Sequence, residues 1–329
     1  MKHIPPPAFG ADQQPFAGIT TIMRQPATRD LDGVDVAVVG IPYDSGTSYR
    51  SGTRFGPRKI REASALLWGY NPVLKVDPLQ RLRLVDYGDV SVIPVDIEAN
   101  NAAIEAEVGA ILETGAAAVA LGGDHSISLP LIRAHARNFG PLAVVHFDSH
   151  PDTWDREFGQ ACPYSHGTPF RRALEEGLID PDHYIQVGIR GPVSGPEDYA
   201  DARRLGAEIV TIGEAFELGI PAVTERIHTR VAGKPVYISL DIDSADPAYA
   251  PGTGTPEVGG FTSFQLLQLV RGLDGLDLTG FDLVEVNPLF DHGDITAILA
   301  ANLVFEYLSV LALAGDDALR RHPDPRSAG

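Results

Sequence analysis

Residues 141–152 read PLAVVHFDSHPD, an apolar, largely β-branched run that ends in three polar or charged side chains, Asp148, His150 and Asp152. A continuous apolar run of this length is typical of a strand buried on both faces of a parallel sheet. Because side chains alternate sides along an extended chain, Asp148, His150 and Asp152 point the same way. The stretch therefore predicts a buried strand with a polar cluster at its carboxyl end.

Apolar runs of the same kind recur along the chain and alternate with segments of helical character. Further strands are predicted at residues 34–42, 81–90, 116–126, 184–190, 234–247 and 278–288, and helices at residues 56–69, 97–115, 129–140 and 295–314. This alternation indicates βαβ units and a doubly wound, mainly parallel sheet. We expect one domain over residues 33–322, after an irregular N-terminal arm at residues 1–32 and before a flexible tail at residues 323–329. Asp294 is the expected cap of the last helix.

The amino-acid composition argues against several classes of binding partner and metal site. Lys and Arg number 26 against 44 Asp and Glu, a net charge of −18, which disfavours a nucleic-acid partner. The single cysteine, Cys162, excludes an internal disulfide and leaves too little sulfur for a thiolate zinc site. The first residues lack the apolar core of a signal peptide, and the strand-sized apolar runs are shorter than the roughly 20 residues of a membrane helix. We expect a cytoplasmic protein without a membrane partner, in which oxygen and nitrogen atoms bind any metal.

Polar residues follow three of the predicted strands at their carboxyl ends, where open α/β sheets bind ligands. These residues are His125, then Asp148, His150 and Asp152, then Asp241 and Asp243. Four carboxylates gathered in one crevice repel each other unless cations compensate them. The set predicts a site for two divalent metal ions about 3.5–4 Å apart. Asp124 and Asp246 are interpreted as cap or turn residues, and His146 as a buried, hydrogen-bonded core histidine.

These motifs, together with GIPYDSGTSYRSGTRFGPRKIR, LGGDHS, SHGTPFRRALEEGLI, QVGIRG, SLDIDSADPAYAPGTGTPEVGG and EVNP, make the chain resemble the ureohydrolase family, which contains arginase and agmatinase. The blocks span nearly the whole chain in family order. The resemblance implies the three-layer α/β/α arginase-like fold, a binuclear manganese centre and hydrolysis of a guanidino group to urea and an amine. It also implies a homo-oligomer, a trimer or a hexamer.

The resemblance assigns metal ligands residue by residue. One ion would be bound by His125, Asp148, Asp152 and Asp241, and the other by Asp148, His150, Asp241 and Asp243. Asp148 and Asp241 would then bridge the two ions. Mn²⁺ suits an oxygen-rich ligand set, while the two imidazoles leave nickel, iron and zinc as alternatives.

The resemblance also assigns catalytic residues. His166 is similar to the family's proton-shuttling histidine, and Glu285 to the carboxylate that faces the guanidinium. The residues alone leave a surface histidine and a surface salt bridge open as interpretations. Our hypothesis is that the metals activate a water for attack on the guanidino carbon, and that Asp152 passes a proton to the leaving amine with help from His166. Glu285 would orient the guanidinium.

The substrate is less defined than the reaction. The loop TWDREFGQACPYS lacks the Asn/Ser pattern with which arginases bind arginine, so arginine is disfavoured. Agmatine or a guanidino acid such as 4-guanidinobutyrate is expected, with 3-guanidinopropionate, guanidine and a biguanide such as metformin as alternatives. Trp154, Phe158 and Tyr164 are candidates to line the substrate pocket, or else pack under a loop. Residues 16–25 resemble an agmatinase-type loop that closes over the substrate.

Three rival functions remain open from the sequence. A deacetylase-type enzyme of this fold would use one zinc ion and would not need both aspartate-rich motifs. A catalytically silent subunit would bind partners or polyamines without turnover. Cys162, close to His166 in the sequence, could also be a nucleophile, although an incidental free thiol is the favoured interpretation.

Overall fold

The computed structural model describes residues 14–159 and 161–314, and within them eight strands form one sheet. The strands are β1 (Val36–Gly40), β2 (Leu84–Asp89), β3 (Ala117–Leu121), β4 (Leu142–Phe147), β5 (Ile179–Ile189), β6 (Glu208–Thr211), β7 (Val236–Asp241) and β8 (Leu278–Val284). Their order across the sheet is β2-β1-β3-β8-β7-β4-β5-β6, and every neighbouring pair is parallel.

Ten α-helices connect the strands within the same described residues. They are α1 (Gly56–Ser64), α2 (Pro78–Arg81), α3 (Ile97–Glu113), α4 (Ser128–Phe139), α5 (Pro169–Glu175), α6 (Glu197–Arg204), α7 (Ile212–Leu218), α8 (Ile220–Val231), α9 (Ser263–Arg271) and α10 (Ile295–Leu313). Helices α3 to α6 pack on one face of the sheet, and α1, α2 and α7 to α10 on the other. The predicted three-layer, doubly wound single domain is thereby confirmed.

Two hydrophobic cores lie on the two faces of the sheet, and strand β1 shows why. Val36 and Val38 belong to one core, while Ala37 and Val39 belong to the other. Successive side chains of a strand point to opposite faces, so a strand between two helical layers must be apolar at every position. This accounts for the continuous apolar runs in the sequence.

The last helix of the described chain is buried in the hydrophobic core. Helix α10 is long and apolar enough to cross a membrane by length and composition, but 83% of its most apolar window is buried. It packs against α1 and α9 in the core on its face of the sheet. Its apolar surface is therefore that of a helix buried in the core.

The prediction that Asp294 caps helix α10 was wrong. Asp294 has a left-handed backbone with φ 61°, and its side chain makes no capping hydrogen bond; its carboxylate lies 2.9 Å from Lys59 Nζ. Asp291 instead accepts hydrogen bonds from the backbone N–H groups of Thr296 at 3.0 Å and Ala297 at 3.1 Å. An N-cap side chain reaches the first turn from an extended backbone, which Asp294 does not have.

The N-terminal segment lies along α1. Ile22 and Met23 are buried, and the Met23 N–H donates to Ser64 Oγ at 2.7 Å. Residues 1–13 and the predicted tail at residues 323–329 lie outside the described residues.

Candidate metal centre

The predicted ligands meet at the carboxyl ends of β3, β7 and β4, and Glu285 joins them from the end of β8, which lies between β3 and β7. His125 begins a short 3-10 helix after β3, and Asp148 directly follows β4. Asp241 is the last residue of β7, and Glu285 directly follows β8. Parallel pairing places strand ends at one edge, so residues far apart in the sequence share one crevice.

A first group of possible ligand atoms surrounds His125. Its Nδ1 atom lies 3.1 Å from Asp148 Oδ2, 2.9 Å from Asp152 Oδ2 and 3.2 Å from Asp241 Oδ2. All four side chains are buried. One imidazole nitrogen facing three carboxylate oxygens is a donor set for a single divalent cation.

A second group lies next to the first and shares Asp148 with it. His150 Nδ1 is 3.0 Å from Asp243 Oδ2 and 3.6 Å from Asp148 Oδ1. Asp148 therefore offers one carboxylate oxygen to each group, as a bridging ligand does. The other Asp241 oxygen, Oδ1, accepts a hydrogen bond from the Asp243 N–H at 2.7 Å.

Residues behind His125 set its tautomer. Ser239 Oγ donates to Asp282 Oδ1 at 2.7 Å and therefore accepts from His125 Nε2 at 2.9 Å. Tyr237 donates its hydroxyl proton to the other Asp282 oxygen at 2.6 Å. With its proton on Nε2, His125 presents the lone pair of Nδ1 to the carboxylates.

The chemistry of the centre fits two divalent metal ions. Within the described chain, His125 Nδ1, Asp243 Oδ2 and Glu285 Oε2 are buried without a hydrogen-bond partner. Burial, together with the neighbouring Asp243 and Asp148 carboxylates, raises the pKa of Asp241 well above its usual value. Buried polar atoms without partners and crowded carboxylates are costly, and bound cations would satisfy both.

Asp148 is also held by His146. His146 Nε2 lies 2.7 Å from Asp148 Oδ2, and its Nδ1 lies 3.2 Å from the Tyr184 hydroxyl. The ring stacks on Phe170 with centroids 3.9 Å apart. The prediction of a buried, hydrogen-bonded core histidine is confirmed, and its partner is a predicted ligand.

Asp124 and Asp246 have the predicted cap and turn roles. Asp124 accepts hydrogen bonds from the backbone of Ser126 at 3.0 Å and of Gly46 at 2.7 Å. Asp246 accepts from the backbone of Ala248 at 2.9 Å and of Gly259 at 2.6 Å. Both carboxylates thus bind backbone in the loops around the centre.

His166 and Glu285 form a buried pair beside the first group. His166 Nδ1 lies 3.0 Å from Glu285 Oε1, and His166 Nε2 accepts from the Ser48 N–H at 3.1 Å. Burial lowers the pKa of His166, but the hydrogen bond and charge of Glu285 outweigh it and raise this pKa to about 9. Neither residue is on the surface, which excludes the surface interpretations left open by the sequence.

Glu285 is fixed against the ligand groups by its backbone. It has φ 63°, an unusual left-handed conformation for a glutamate, and its Oε1 also accepts from the backbone N–H of His125 at 3.0 Å. Left-handed backbone at a bulky residue persists where the surroundings require it, and it clusters at functional sites.

A cavity of about 490 Å³ opens from the metal centre. Its lining residues include His150, Asp152, Asp241 and His166, the loop residues Trp154, Asp155, Arg156 and Glu157, and Ser48, Gly167, Pro192, Val193, Ser194, Asp198 and Thr255. Its volume lies in the usual range of about 300–1,000 Å³ for small-molecule sites. The predicted ligands therefore lie at a site that a small molecule can enter.

The model of the arginase family matches residues 34–309 of the chain. The chain belongs to the arginase family. Guanidinopropionase of Pseudomonas aeruginosa is 47% identical over 94% of this chain and 96% of its own length. Guanidinobutyrase of the same organism is 43% identical over 94% of this chain and 98% of its own length. The solved structure of proclavaminate amidinohydrolase from Streptomyces clavuligerus superimposes with a TM-score of 0.88 at 42% identity, covering 92% of this chain and 100% of that one.

In this arginase-family chain, the three aromatic residues that were candidates to line the substrate pocket lie in different places. Trp154 lines the cavity, and its indole Nε1–H donates to Asp198 Oδ2 at 3.2 Å. Phe158 is 48% exposed in a turn, and Tyr164 packs against the hydrophobic core beneath the loop. Of the three, the described structure places only Trp154 in the cavity lining.

Two further expectations about this arginase-family chain concern segments outside the cavity lining. Residues 16–25 were expected to close over the substrate, but residues 16–21 and Arg24 line a separate cavity of about 750 Å³ against α1 and the start of α10. The burial of Ile22 and Met23 fixes the segment there. Cys162 Sγ donates to the Tyr164 carbonyl at 2.6 Å, and no contact among the described residues supports a nucleophilic role.

The sequence analysis missed Ser239 and Asp282. Both stand in runs predicted to be buried strands, where a polar side chain needs a hydrogen-bond partner. Their direct pairing in the register between β7 and β8 was not visible in the sequence. A polar residue within an otherwise apolar strand was the available signal.

Proposed function

We propose that this chain is a binuclear-metal amidinohydrolase that cleaves a guanidino compound to urea and an amine. The observation that supports this most strongly is the pair of ligand groups that share Asp148 at the base of an open cavity. The named activities of the similar proteins, guanidinopropionase and guanidinobutyrase, agree with this reaction class. The substrate is proposed to be a guanidino acid or agmatine.

In this proposal six side chains hold the metal ions. His125, Asp148, Asp152 and Asp241 hold one ion, and Asp148, His150, Asp241 and Asp243 hold the other. The carboxylate-rich donor set favours Mn²⁺, while the two imidazoles also suit Ni²⁺. When bound, two such ions supply the Lewis acidity that makes water a nucleophile near neutral pH.

The chain's own residues would bind the substrate and move protons. Glu285 Oε2 is buried and, among the described residues, has no hydrogen-bond partner, so it can accept from a guanidinium N–H. Asp152, at the base of the cavity, would pass a proton to the leaving amine. His166 faces the same cavity, and its contacts through Nδ1 with Glu285 and through Nε2 with Ser48 hold the imidazole where it can transfer a proton.

These contacts support the two alternative functions, a single-zinc deacetylase and a silent subunit, less well. A deacetylase-type enzyme with one zinc ion gives no role to the second group around His150 and Asp243. A silent subunit gives no role to a complete ligand set with buried atoms that lack partners in the described chain. Guanidine and biguanides remain candidates only as alternative substrates of the same reaction.

We further propose a cytoplasmic homo-oligomer, a trimer or a hexamer. Phe16 is 89% exposed, Ile19 75% and Leu66 58%, and all three line one cavity on the surface. Large exposed apolar patches often mark contacts between proteins. Light scattering on the purified protein tests this, and a monomer at micromolar concentration would contradict it.

Urea release tests the proposed reaction. Purified protein is loaded separately with Mn²⁺ and Ni²⁺ and assayed on agmatine, 4-guanidinobutyrate, 3-guanidinopropionate, arginine, guanidine and metformin. Metal-dependent urea release from at least one compound is expected. Its absence from all of them, with two metals bound, would contradict the proposal.

A further inference from the structure

Part of the cavity wall is a run of one aromatic and three charged residues that follows the ligand Asp152 in the sequence. Trp154, Asp155, Arg156 and Glu157 are consecutive, and all four line the cavity that reaches His150, Asp152 and Asp241. The part of a substrate that does not react must lie against such residues. Their charges therefore decide which distal group the site accepts.

The two acidic residues of this run already have cationic or donor partners. Asp155 Oδ1 accepts from Arg172 Nη2 at 2.8 Å and lies 3.6 Å from Arg171 Nε. Glu157 Oε2 accepts from Ser165 Oγ at 2.5 Å and from the Gly167 N–H at 3.2 Å. Both carboxylates are thus engaged in holding the loop.

The remaining acidic residue of the outer cavity is engaged as well. Asp198 Oδ2 accepts from Trp154 Nε1 at 3.2 Å and from the Ser194 N–H at 2.8 Å. These bonds fix the indole as a rigid wall. Donors of the chain itself thus already occupy one oxygen of each of these three carboxylates.

Arg156 differs from these acidic residues because its guanidinium is weakly engaged. Its ion-pair contact within the described chain is Nε to Asp155 Oδ2 at 3.9 Å, the outer edge of a salt bridge. Its side chain is 44% exposed, and no other Arg or Lys lines this cavity in the part of the chain that the structure describes. Arg156 is therefore a cation at the cavity wall with donors left for a ligand.

We infer that Arg156 binds a carboxylate at the distal end of the substrate, so that the chain acts on guanidino acids in preference to agmatine. This inference rests on the proposed function. A guanidinium binds a carboxylate through two parallel charge-assisted hydrogen bonds, whereas it repels the ammonium of agmatine. The Trp154 ring provides an apolar wall for the methylene groups between the two ends of the substrate.

The test compares kcat/KM for urea release among three proteins: the wild type, Arg156→Gln, and Arg81→Gln as the matched control. Arg81 is exposed at the end of α2 and is not among the cavity-lining residues of the described chain. The substrates are 4-guanidinobutyrate, 3-guanidinopropionate and agmatine.

Arg156→Gln should lower kcat/KM for both acids by about 10- to 100-fold, mainly through KM, since a bidentate ion pair is lost. It should raise kcat/KM for agmatine, because a like charge is removed. Arg81→Gln should match the wild type. A wild type that prefers agmatine, or an Arg156→Gln variant with an unchanged preference, would overturn the inference while leaving the proposed function intact.

Calorimetric binding of 4-guanidinobutyrate separates the two claims. If the wild type releases urea from none of the substrates, the proposed function fails. Binding of 4-guanidinobutyrate that Arg156→Gln weakens by about tenfold or more would still support the carboxylate role. Equal binding to both proteins, or none to the wild type, would overturn it.

Discussion

At the scale of single residues, His125 shows how much of the centre depends on residues that are not themselves ligands. Ser239 and Asp282 fix its proton on Nε2 and leave Nδ1 facing three carboxylates. His146 holds the ligand Asp148 through a hydrogen bond in a similar way. The positions of the ligands thus depend on the residues hydrogen-bonded behind them.

Ser239→Ala should weaken metal binding. The change removes the acceptor of His125 Nε2, and loss of such a partner costs about 10- to 100-fold in metal affinity. Mn²⁺ titration by calorimetry measures the effect. Ser309→Ala, which removes a buried hydroxyl of α10 bonded to the Phe305 carbonyl, serves as the control. Equal affinity in the Ser239 variant and the control would contradict the role assigned to Ser239.

His166→Asn should retain both metals but lose rate. His166 contacts Glu285 and Ser48 and lines the cavity, yet it lies in neither ligand group. Loss of a proton-transfer group costs about 10²- to 10⁴-fold in kcat. Metal content and kcat are measured on the same preparation. Full activity, or loss of a metal, would show that His166 does not act in proton transfer.

Metal affinity should fall as the pH falls. Because burial, Asp243 and Asp148 raise the pKa of Asp241, this carboxyl takes up a proton at a higher pH than an ordinary aspartate. Metal binding requires the deprotonated form, so protons and metal compete and affinity weakens on acidification. Mn²⁺ titrations at about pH 8 and about pH 6 should show weaker binding at the lower pH. Tighter binding at the lower pH would contradict this linkage.

At the scale of helices and strands, the sequence predicted the elements that the core requires. Seven strands were predicted from continuous apolar runs, and helices α1, α3, α4 and α10 from longer segments of helical character. Strand β6 was missed, since it has four residues at the edge of the sheet and its end residues are only partly buried. Helices α6, α7 and α9 are short and were not predicted, and neither was α8, although it has 12 residues like α4.

The candidate site was predicted to a similar extent. All six predicted ligands lie together because each stands at, or within five residues after, the carboxyl end of a buried strand, a local feature that the sequence shows. The environment of Trp154, Phe158 and Tyr164 depends on how one irregular loop folds, which no periodicity encodes. The cap of α10 was misassigned for the same reason, since the backbone conformation of Asp294 is not visible in the sequence.

Asp291→Ala should destabilise α10 more than Asp294→Ala does. Asp291 accepts two hydrogen bonds from the first turn of the helix, and loss of such a cap costs about 1 kcal/mol. Asp294 makes an ion pair with Lys59 in which its own side chain is 50% exposed, and exposed pairs contribute about 0–1 kcal/mol. Urea denaturation of both variants measures the difference. A larger loss of stability in the Asp294 variant would contradict the assignment of the cap.

At the scale of the whole molecule, the strand order brings four strand ends to one crevice. Strands β7 and β8 lie between β3 and β4, although they follow both in the sequence. Residues as far apart in the sequence as His125 and Glu285 therefore lie together at one edge of the sheet. The central claim is that this arrangement binds two metal ions in each chain.

Metal content per chain tests that claim most directly. Wild-type protein and Asp148→Ala are loaded with Mn²⁺ and freed of excess metal by gel filtration. The manganese bound per chain is then measured by inductively coupled plasma mass spectrometry. Asp148 offers an oxygen to each ligand group, so we predict two ions per chain in the wild type and fewer than one in the variant. One ion per wild-type chain, or two in the variant, would contradict the binuclear centre.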